Sequence, residues 1–142
     1  MSPFVPNGVY KIRNVEFSGD VAGLVGGVSI GTLVGFIDRR PSNPNTLWRI
    51  VNVGGGGNEI TIESVSAPGS FASADQYPDA LVAGSGDQTV WTVVKEDRGY
   101  YLQSPNAQLV WQLTRDGKCA PIVLIPFTAQ DNTKWTFDRV GK

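Results

Sequence analysis

Three close pairs of carboxylates are the residues in this chain whose spacing comes nearest to acid–base chemistry. The pairs are Glu59 with Glu63, Asp75 with Asp79, and Glu96 with Asp97. Cleavage of a glycosidic bond would need two carboxyl groups that face each other across a cleft. Because side chains alternate along a strand, Glu59 and Glu63 fall on one face of a single strand, where we expect solvent. The pairs therefore do not predict a hydrolase.

The sequence contains no histidine, the side chain most often used for proton transfer near neutral pH. Its many serines consequently lack the ordinary base of a nucleophilic triad. A single cysteine, Cys119, excludes an intramolecular disulfide and a thiolate-rich metal site, and we interpret it as a lone thiol in a hairpin. We predict a protein that is not an enzyme and that uses no cofactor and no metal.

Charge and length restrict the partners further. Twelve basic and thirteen acidic residues are interspersed and give a net charge of -1, so no basic face is expected for nucleic acid or an anionic membrane. No apolar run approaches the ~20 residues needed to cross a bilayer. The first seven residues lack the basic and apolar regions of a secretory signal, which predicts a cytoplasmic protein. A chain of 142 residues fits one domain, 1–142.

A motif, Thr-x-Trp followed by alternating apolar residues, occurs three times and dominates the chain. Its tryptophans, Trp48, Trp91 and Trp135, are 43 and 44 residues apart. Self-similarity at a fixed period indicates a repeat architecture. We therefore divide the domain into unit one at about 8–53, unit two at about 58–96 and unit three at about 99–140.

Each unit contains four short segments with strand-like composition, separated by turn residues. The predicted strands are 8–15, 21–25, 32–37 and the segment of Trp48; 59–65, 70–74, 80–83 and the segment of Trp91; and 100–104, 109–114, 122–125 and the segment of Trp135. A glycine linker at 54–57 and a turn at 116–118 are among the predicted connections. Seventeen glycines and nine prolines leave little room for a helix, so the class is all-β.

Four strands with exposed edges cannot bury an apolar face alone, so the three units must share one core. The arrangement known for three such repeats is the β-trefoil, a six-stranded barrel closed at one end by three hairpins. We expect the three motif tryptophans in its core, with the threonine hydroxyls bonded to nearby backbone. A fourth tryptophan, Trp111, has no repeat partner, and asymmetric core filling is favoured over a binding role.

Binding residues are then expected in loops. The loop 38–45 is stiffened by Pro41 and Pro44 and carries an adjacent basic pair, Arg39 and Arg40. The loop 25–31 is rich in glycine and carries apolar side chains, which suggests either a partner or a loop folded back on the barrel.

Two segments, Gly8-Val9-Tyr10-Lys11-Ile12-x-Asn14-Val15 and Asn132-Thr133-Lys134-Trp135-Thr136-Phe137-Asp138-Arg139-Val140, resemble mushroom β-trefoil proteins. The resemblance spans the chain and includes the mushroom peptidase inhibitors (mycocypins and mycospins) and the ricin B-type lectins. The inhibitors imply loops inserted into a protease cleft: the 25–30 loop against a chymotrypsin- or elastase-like pocket, since it lacks a basic residue, or 17–20 and 39–45 against a papain-like cleft. The protease-binding residues implied are Leu24, Val25, Ile30, Arg39, Arg40 and Asn43.

The lectin resemblance implies a glycan partner instead. Ricin B-type lectins carry Gln-x-Trp in each unit, whereas this chain has Thr46, Thr89 and Thr133 at the glutamine position, and no aspartate recurs upstream in all three units. A single degenerate sugar site would then use Asp20 and Asn45. A lectin-like accessory subunit of a larger enzyme is a further alternative. The sequence-based prediction is a peptidase inhibitor, with the lectin as its alternative.

Overall fold

The computed structural model describes residues 3–54, 56, 58–116 and 119–140, and its regular structure is almost entirely β. The twelve strands are β1 Gly8–Asn14, β2 Asp20–Leu24, β3 Leu33–Ile37, β4 Trp48–Val53, β5 Glu59–Ser64, β6 Phe71–Ser73, β7 Ala83–Ser85, β8 Trp91–Glu96, β9 Gly99–Gln103, β10 Leu109–Leu113, β11 Ile122–Pro126 and β12 Trp135–Arg139. The predicted all-β class with twelve strands is confirmed. The predicted linker at 54–57 and turn at 116–118 lie partly outside the described residues.

Six of the strands close into a barrel. In ring order β1, β4, β5, β8, β9 and β12 pair antiparallel, and β12 returns to β1. A closed ring leaves no unpaired strand edge, which is the gain that three weakly stable units obtain by sharing one core. No helix among the described residues has the length and apolar character needed to cross a bilayer.

The other six strands form three hairpins, β2–β3, β6–β7 and β10–β11, and backbone hydrogen bonds join the hairpins to one another. The amide of Leu33 donates to the carbonyl of Val82 at 2.8 Å, and the amide of Val82 donates to Ile122 at 3.0 Å. The amide of Gly35 donates to Ala120 at 2.9 Å and completes the triangle. Each hairpin therefore depends on the other two.

These contacts between units explain the one strand whose position differs from the prediction. The apolar segment 80–83 was the expected strand, but β7 begins at Ala83 and includes Gly84 and Ser85. Ala80 and Val82 are buried, yet their backbone groups bond to unit three and unit one instead of to β6. The hairpin ladder therefore passes to the next residues, where a Cβ on Gly84 would collide with Ser29 and Ser70.

The three motif tryptophans lie in the core, as predicted, and are held by the same hydrogen bond in each unit. Their Nε1 groups donate to main-chain carbonyls in the first strand of the hairpin: Trp48 to Ala22 at 2.9 Å, Trp91 to Ala72 at 2.9 Å and Trp135 to Trp111 at 3.2 Å. The acceptors Ala22, Ala72 and Trp111 therefore occupy equivalent positions.

The motif threonines follow the prediction in two units of three. The hydroxyls of Thr46 and Thr133 donate to main-chain carbonyls three residues earlier, at 2.6 and 2.7 Å. The hydroxyl of Thr89 instead bonds the Ser73 hydroxyl at 2.6 Å, so the backbone prediction is wrong there. In unit two the Ser73 hydroxyl lies within hydrogen-bond distance of Thr89, and the two hydroxyls bond each other.

Trp111 is a core residue, as favoured from the sequence. Its side chain is fully buried and makes edge-to-face contacts with Trp91 (5.4 Å between centroids) and Trp135 (5.9 Å). Units one and two have only alanine at this position, so a single indole fills the space around the pseudo-threefold axis. Its Nε1 has no acceptor among the described residues.

Candidate ligand-binding sites

The outer face of hairpin β2–β3 carries an aromatic ring laid over a glycine. Ala22 and Leu24 belong to the central core cluster, so strand alternation turns Gly23 and Val21 to the opposite face of the hairpin, where both are still buried. Val21 pairs with Phe36 on β3, and the Phe36 ring reaches diagonally over Gly23. A Cβ on Gly23 would collide with that ring. Glycine is therefore required at this position for the ring to approach the strand this closely.

A hollow of about 170 Å³ lies beside this ring. Its lining residues are Gly35, Phe36, Ile37, Arg39, Asn43 and Cys119. Phe36 is half-buried, and its ring gives the hollow an apolar wall. Arg39 and Asn43 supply hydrogen-bond donors on the other side, and the lining includes no carboxylate. We call this the Phe36 hollow.

The polar wall of the Phe36 hollow is held by a short turn. The main-chain carbonyl of Asn43 accepts from the amide and the hydroxyl of Thr46, at 2.8 and 2.6 Å, where the 3₁₀ turn Pro44–Thr46 begins. The side-chain oxygen of Asn43 accepts from the Asn45 amide at 3.0 Å. The side-chain NH₂ of Asn43 has no partner among the described residues. The Asn43 NH₂ group is therefore held in place and available to donate hydrogen bonds to a ligand.

Among the described residues, only unit one builds such a face. By hairpin register, Gly23 and Phe36 correspond to Ser73 and Ser85 in unit two, and to Gln112 and Ile125 in unit three. Neither pair places an aromatic ring over a glycine. The hollow is therefore a feature of unit one and not of the repeat.

The structure does not bring Asp20 and Asn45, the pair expected for a sugar site, together. Asp20 begins β2, is buried and borders a separate hollow of about 400 Å³ that shares Ile37 with the Phe36 hollow. Asn45 lies at the far end of β2, where its side-chain oxygen would be 2.7 Å from a Cβ on Gly27. Four strand residues, about 13 Å, separate the two ends of β2.

The residues expected to enter a protease from the loop 25–31 differ in how far their side chains are buried. Leu24 is fully buried in the core, so its side chain cannot reach a partner in this structure. Burial follows from strand alternation, because Leu24 shares the inner face with Ala22. Val25 opens a 3₁₀ turn and is partly exposed, and Ile30 is 81% exposed.

The backbone around Ile30 is anchored, in contrast to its side chain. The carbonyl of Ser29 accepts from the Ser70 hydroxyl at 2.6 Å, and the carbonyl of Gly31 accepts from the Gly84 amide at 2.8 Å. Both anchors belong to unit two. The loop thus holds a projecting apolar side chain on a backbone fixed at both neighbours.

The adjacent basic pair is divided between two sites. Arg39 lines the Phe36 hollow, whereas Arg40 lines a cleft on the other side of the same loop, against β1 and β12. The division arises in the loop after β3, which bends at Arg40. Arg39 and Arg40 therefore do not act as one basic patch.

Lys134, the residue just before β12, is not presented to solvent. It is buried, and its Nζ lies 3.4 Å from Asp131 and 3.5 Å from Asp97. Burial opposes the charge of Lys134, but Asp97 and then Asp131 outweigh it and raise the pKa of the ammonium group. Lys134 therefore remains charged and internally paired.

Comparison with solved structures identifies the architecture. The Rhizoctonia solani agglutinin superposes with a TM-score of 0.88 at 21% identity, over 99% of this chain and 100% of the agglutinin. The chain has the β-trefoil fold. ThreeFoil, a designed threefold-symmetric protein, matches at 0.81 and 15% identity over 94% of this chain and 99% of its own. A Macrolepiota procera ricin B-like lectin, solved with lactose, matches at 0.80 and 19% identity over 98% and 100%.

What these β-trefoil structures share with the chain is the fold. No protein-family model matches the sequence, and no curated protein matches it closely enough to count as a relative. The similarity to fungal lectins agrees in part with the resemblance noted from the sequence, while a peptidase-inhibitor type is not confirmed by it.

Sequence reasoning did not single out Phe36. The sequence did contain a signal for this contact. A glycine on one strand of a hairpin leaves room for an aromatic ring from the diagonal position of the other strand. Finding it required the register of β2 against β3, which the long connecting loop left undetermined. Among the described residues, no three carboxylate or thiol groups come close enough to hold a metal ion.

Proposed function

We propose that this chain is a non-enzymatic glycan-binding protein, a lectin, with one site at the Phe36 hollow. The observation that carries the proposal is the half-buried Phe36 ring beside two polar groups, Arg39 and Asn43, in a concave surface. A small number of placed polar groups around an apolar wall is the general composition of a small-molecule site. The shared β-trefoil fold of the Macrolepiota procera lectin, solved with lactose, supports the same class of ligand.

A neutral sugar suits the chemistry of this hollow. The apolar face of a pyranose ring would pack on Phe36, while its hydroxyls accept from the Arg39 guanidinium and the Asn43 amide. The volume of about 170 Å³ has room for one sugar residue. A site this shallow buries little area, so we expect weak binding that gains strength from multivalent presentation.

The direct test is titration with neutral saccharides, lactose first, of the wild type and of Phe36→Ala. Removal of the ring should weaken binding by about tenfold or more. Tyr77→Ala is the matched control, because Tyr77 is an exposed aromatic outside the hollow and its loss should leave affinity unchanged. A blank glycan array, or undiminished binding by Phe36→Ala, would refute the proposal.

A second variant separates the two adjacent hollows. Asp20→Asn keeps the volume of the side chain and removes its charge. Retained binding in Asp20→Asn together with lost binding in Phe36→Ala supports the Phe36 hollow. The reverse pattern would move the sugar site to the hollow that Asp20 borders.

Peptidase inhibition is the second candidate function, and the exposure of Ile30 on an anchored backbone favours it. A loop already fixed at Ser29 and Gly31 loses little conformational entropy on docking. A branched apolar side chain suits an elastase- or chymotrypsin-like pocket, whereas docking through Arg39, Arg40 and Asn43 would instead suit a papain-like cleft.

Titration against elastase, chymotrypsin, trypsin and papain tests this second function. Inhibition through the loop should be abolished by Ile30→Asp and retained by Leu81→Asp, a matched change at an exposed leucine of unit two. Absence of inhibition at micromolar protein would exclude it. Because Ile30 is outside the lining of the Phe36 hollow, sugar binding should be unaffected by Ile30→Asp.

A further inference from the structure

A charged cleft of about 420 Å³ lies on the far side of the loop from the Phe36 hollow. Its lining residues are Lys11, Arg13, Asp38, Arg40, Pro41, Ser42, Asp138, Arg139 and Val140. Tyr10 and Ile12 on β1 are buried, so alternation turns Lys11 and Arg13 outward to form its floor. We call it the Arg40 cleft.

The floor of the Arg40 cleft is internally neutralised. Lys11 Nζ and Arg13 Nη2 hold the two oxygens of Asp38 at 2.7 and 2.8 Å, and Arg13 Nε holds Asp138 at 2.7 Å. The third Arg13 nitrogen, Nη1, donates to the Ser18 carbonyl at 2.9 Å. Lys11, Arg13, Asp38 and Asp138 thus neutralise one another, and we assign them a structural role in the floor.

Two cations at the cleft are left over from this network. Arg40 and Arg139 have no carboxylate partner among the described residues. Arg139 is held in place, since its guanidinium carbon lies 5.7 Å from the Tyr10 ring centroid and Nη1 lies 3.4 Å from the Tyr10 hydroxyl. Like charges gathered at one cleft are unfavourable unless an anion balances them. The lining contains four cations and two carboxylates, so it is locally positive although the net charge of the whole chain is -1.

The cleft also offers hydrogen-bond acceptors, which restrict the class of ligand that fits it. Asp138 is partly exposed, and only its Oδ2 is used by Arg13, so its other oxygen can accept from a hydroxyl. Only two cations of the lining, Arg40 and Arg139, lack a carboxylate partner among the described residues, so they match one oxyanion, and further negative groups would find no unpaired cation. A ligand with one negative group and several hydroxyls satisfies both kinds of residue. Guanidinium groups suit oxyanions because their planar fork matches carboxylate and sulfate geometry.

We propose that the Arg40 cleft binds a saccharide carrying one oxyanion, either a carboxylate or a sulfate ester, with the anion at Arg40 and Arg139 and the sugar hydroxyls at Asp138 and Ser42. The cleft and the Phe36 hollow share no lining residue, so this site stands apart from the neutral-sugar site. The stiff segment at Pro41 keeps Arg40 and Ser42 in position before the ligand arrives.

The test is a titration of the isotope-labelled chain, followed by amide shifts at Ser42 and Val140. The probes are glucuronate, glucose 6-sulfate, glucose and inorganic sulfate. We expect glucuronate, glucose 6-sulfate or both to bind, with glucose and inorganic sulfate weaker by about tenfold or more. The two acidic sugars distinguish the carboxylate from the sulfate ester.

Matched charge reversals locate the binding. Arg40→Glu should weaken the acidic sugar by about tenfold or more, whereas Arg115→Glu, the same change at an exposed residue outside the cleft, should have no effect. Phe36→Ala should leave this binding intact even if it abolishes neutral-sugar binding, so the two sites can fail independently.

Three results would overturn the proposal. The first is an absence of shifts at Ser42 and Val140 with either acidic sugar at millimolar concentration. The second is equal affinity in the wild type and Arg40→Glu. The third is inorganic sulfate that binds as tightly as glucose 6-sulfate, which would make the cleft a site for a bare anion and not for a saccharide.

Discussion

Unit one and unit three have the same backbone plan but differ at two corresponding places. Register makes Lys11 and Asp38 in unit one correspond to Tyr101 and Phe127 in unit three. The first pair is an ion pair at 2.7 Å, whereas the second is an edge-to-face ring contact at 4.9 Å. The hairpin differs likewise, with an aromatic ring over Gly23 in unit one and an aliphatic side chain beside a glutamine in unit three.

This difference shows which features the repeat preserves. The indole-to-carbonyl hydrogen bond recurs in all three units because it joins each barrel strand to its hairpin. Outward-facing positions do not form this hydrogen bond, so their residue types can differ between units. Unit one has charged and aromatic groups there, whereas unit three uses the same positions for packing. Both proposed sites consequently use outward-facing residues of unit one: the Phe36 hollow at its hairpin, and the Arg40 cleft where β1 meets Asp138 and Arg139 of unit three.

The largest expected effect breaks the shared plan itself. Trp91→Ala removes a fully buried indole and its bond to Ala72, so the free energy of unfolding should fall by about 3–5 kcal/mol. Phe36→Ala, at a half-buried outer position, should cost less than about 1.5 kcal/mol. Denaturant titration of both variants measures the contrast. Similar losses at the two positions would contradict the division between scaffold and site.

The next effect concerns Gly23, which lets the Phe36 ring approach the strand closely. Gly23→Ala should destabilise the chain by about 1–3 kcal/mol, because the new Cβ collides with Phe36, and should weaken neutral-sugar binding by displacing the ring. Gly19→Ala is the control, since a Cβ there meets no atom within 4 Å.

The double variant Gly23→Ala with Phe36→Ala sharpens this prediction. Stability should recover relative to Gly23→Ala, because the collision is gone, while sugar binding should remain lost. Recovery of both properties, or of neither, would contradict the placement of Phe36 over Gly23.

A smaller effect distinguishes Trp111 from the motif tryptophans. Trp111→Phe keeps most of the buried area, and its Nε1 has no acceptor to lose among the described residues. Trp91→Phe additionally leaves the Ala72 carbonyl without its donor, so it should cost about 1 kcal/mol more. Thermal unfolding of the two variants measures the difference. An equal or larger loss for Trp111→Phe would contradict this ranking of the two positions.

The smallest effect is a pH dependence at the Asp38 ion pair of unit one. The hydrogen bond from Lys11, opposed by partial burial and aided by the bond from Arg13, lowers the pKa of Asp38. A carboxyl group whose pKa is lowered by folding stabilises the fold above its unfolded pKa, and this contribution is lost as the pH falls through its folded pKa.

Asp38→Asn should therefore be less stable than the wild type near neutral pH and should converge with it from about pH 4 downward. Phe127→Leu, at the corresponding position of unit three, should lower stability by the same amount at every pH. Parallel curves for Asp38→Asn and the wild type would contradict the ion-pair interpretation.

The fold followed from the sequence because the tryptophan repeat reports the core directly. The misplaced β7 did not follow from it, since residues 80–82 satisfy their backbone through units one and three, and no local pattern reveals such partners. The Arg40 cleft depends on the pairing of β1 with β12: Arg13 and Asp138 are 125 residues apart in sequence. Spacing within either segment could not indicate that contact.

The sites were harder to predict because they depend on direction and burial. Leu24 and Val25 are neighbours of similar chemistry, yet the first is fully buried and the second is partly exposed. Arg39 and Arg40 form one basic pair in the sequence, but they line different sites because the loop bends between them. Asp20 and Asn45 match the residue types of a sugar site, but β2 holds them apart.

The central claim is that the repeat builds a symmetric scaffold on which unit one alone carries the neutral-sugar site. The most direct measurement is a heteronuclear shift titration of the labelled chain with lactose. The account predicts one saturable site, with shifts concentrated at Phe36, Arg39 and Asn43. Comparable shifts at the corresponding hairpin positions, Ser85 in unit two and Ile125 in unit three, would contradict it, as would saturation at two or three sugars per chain.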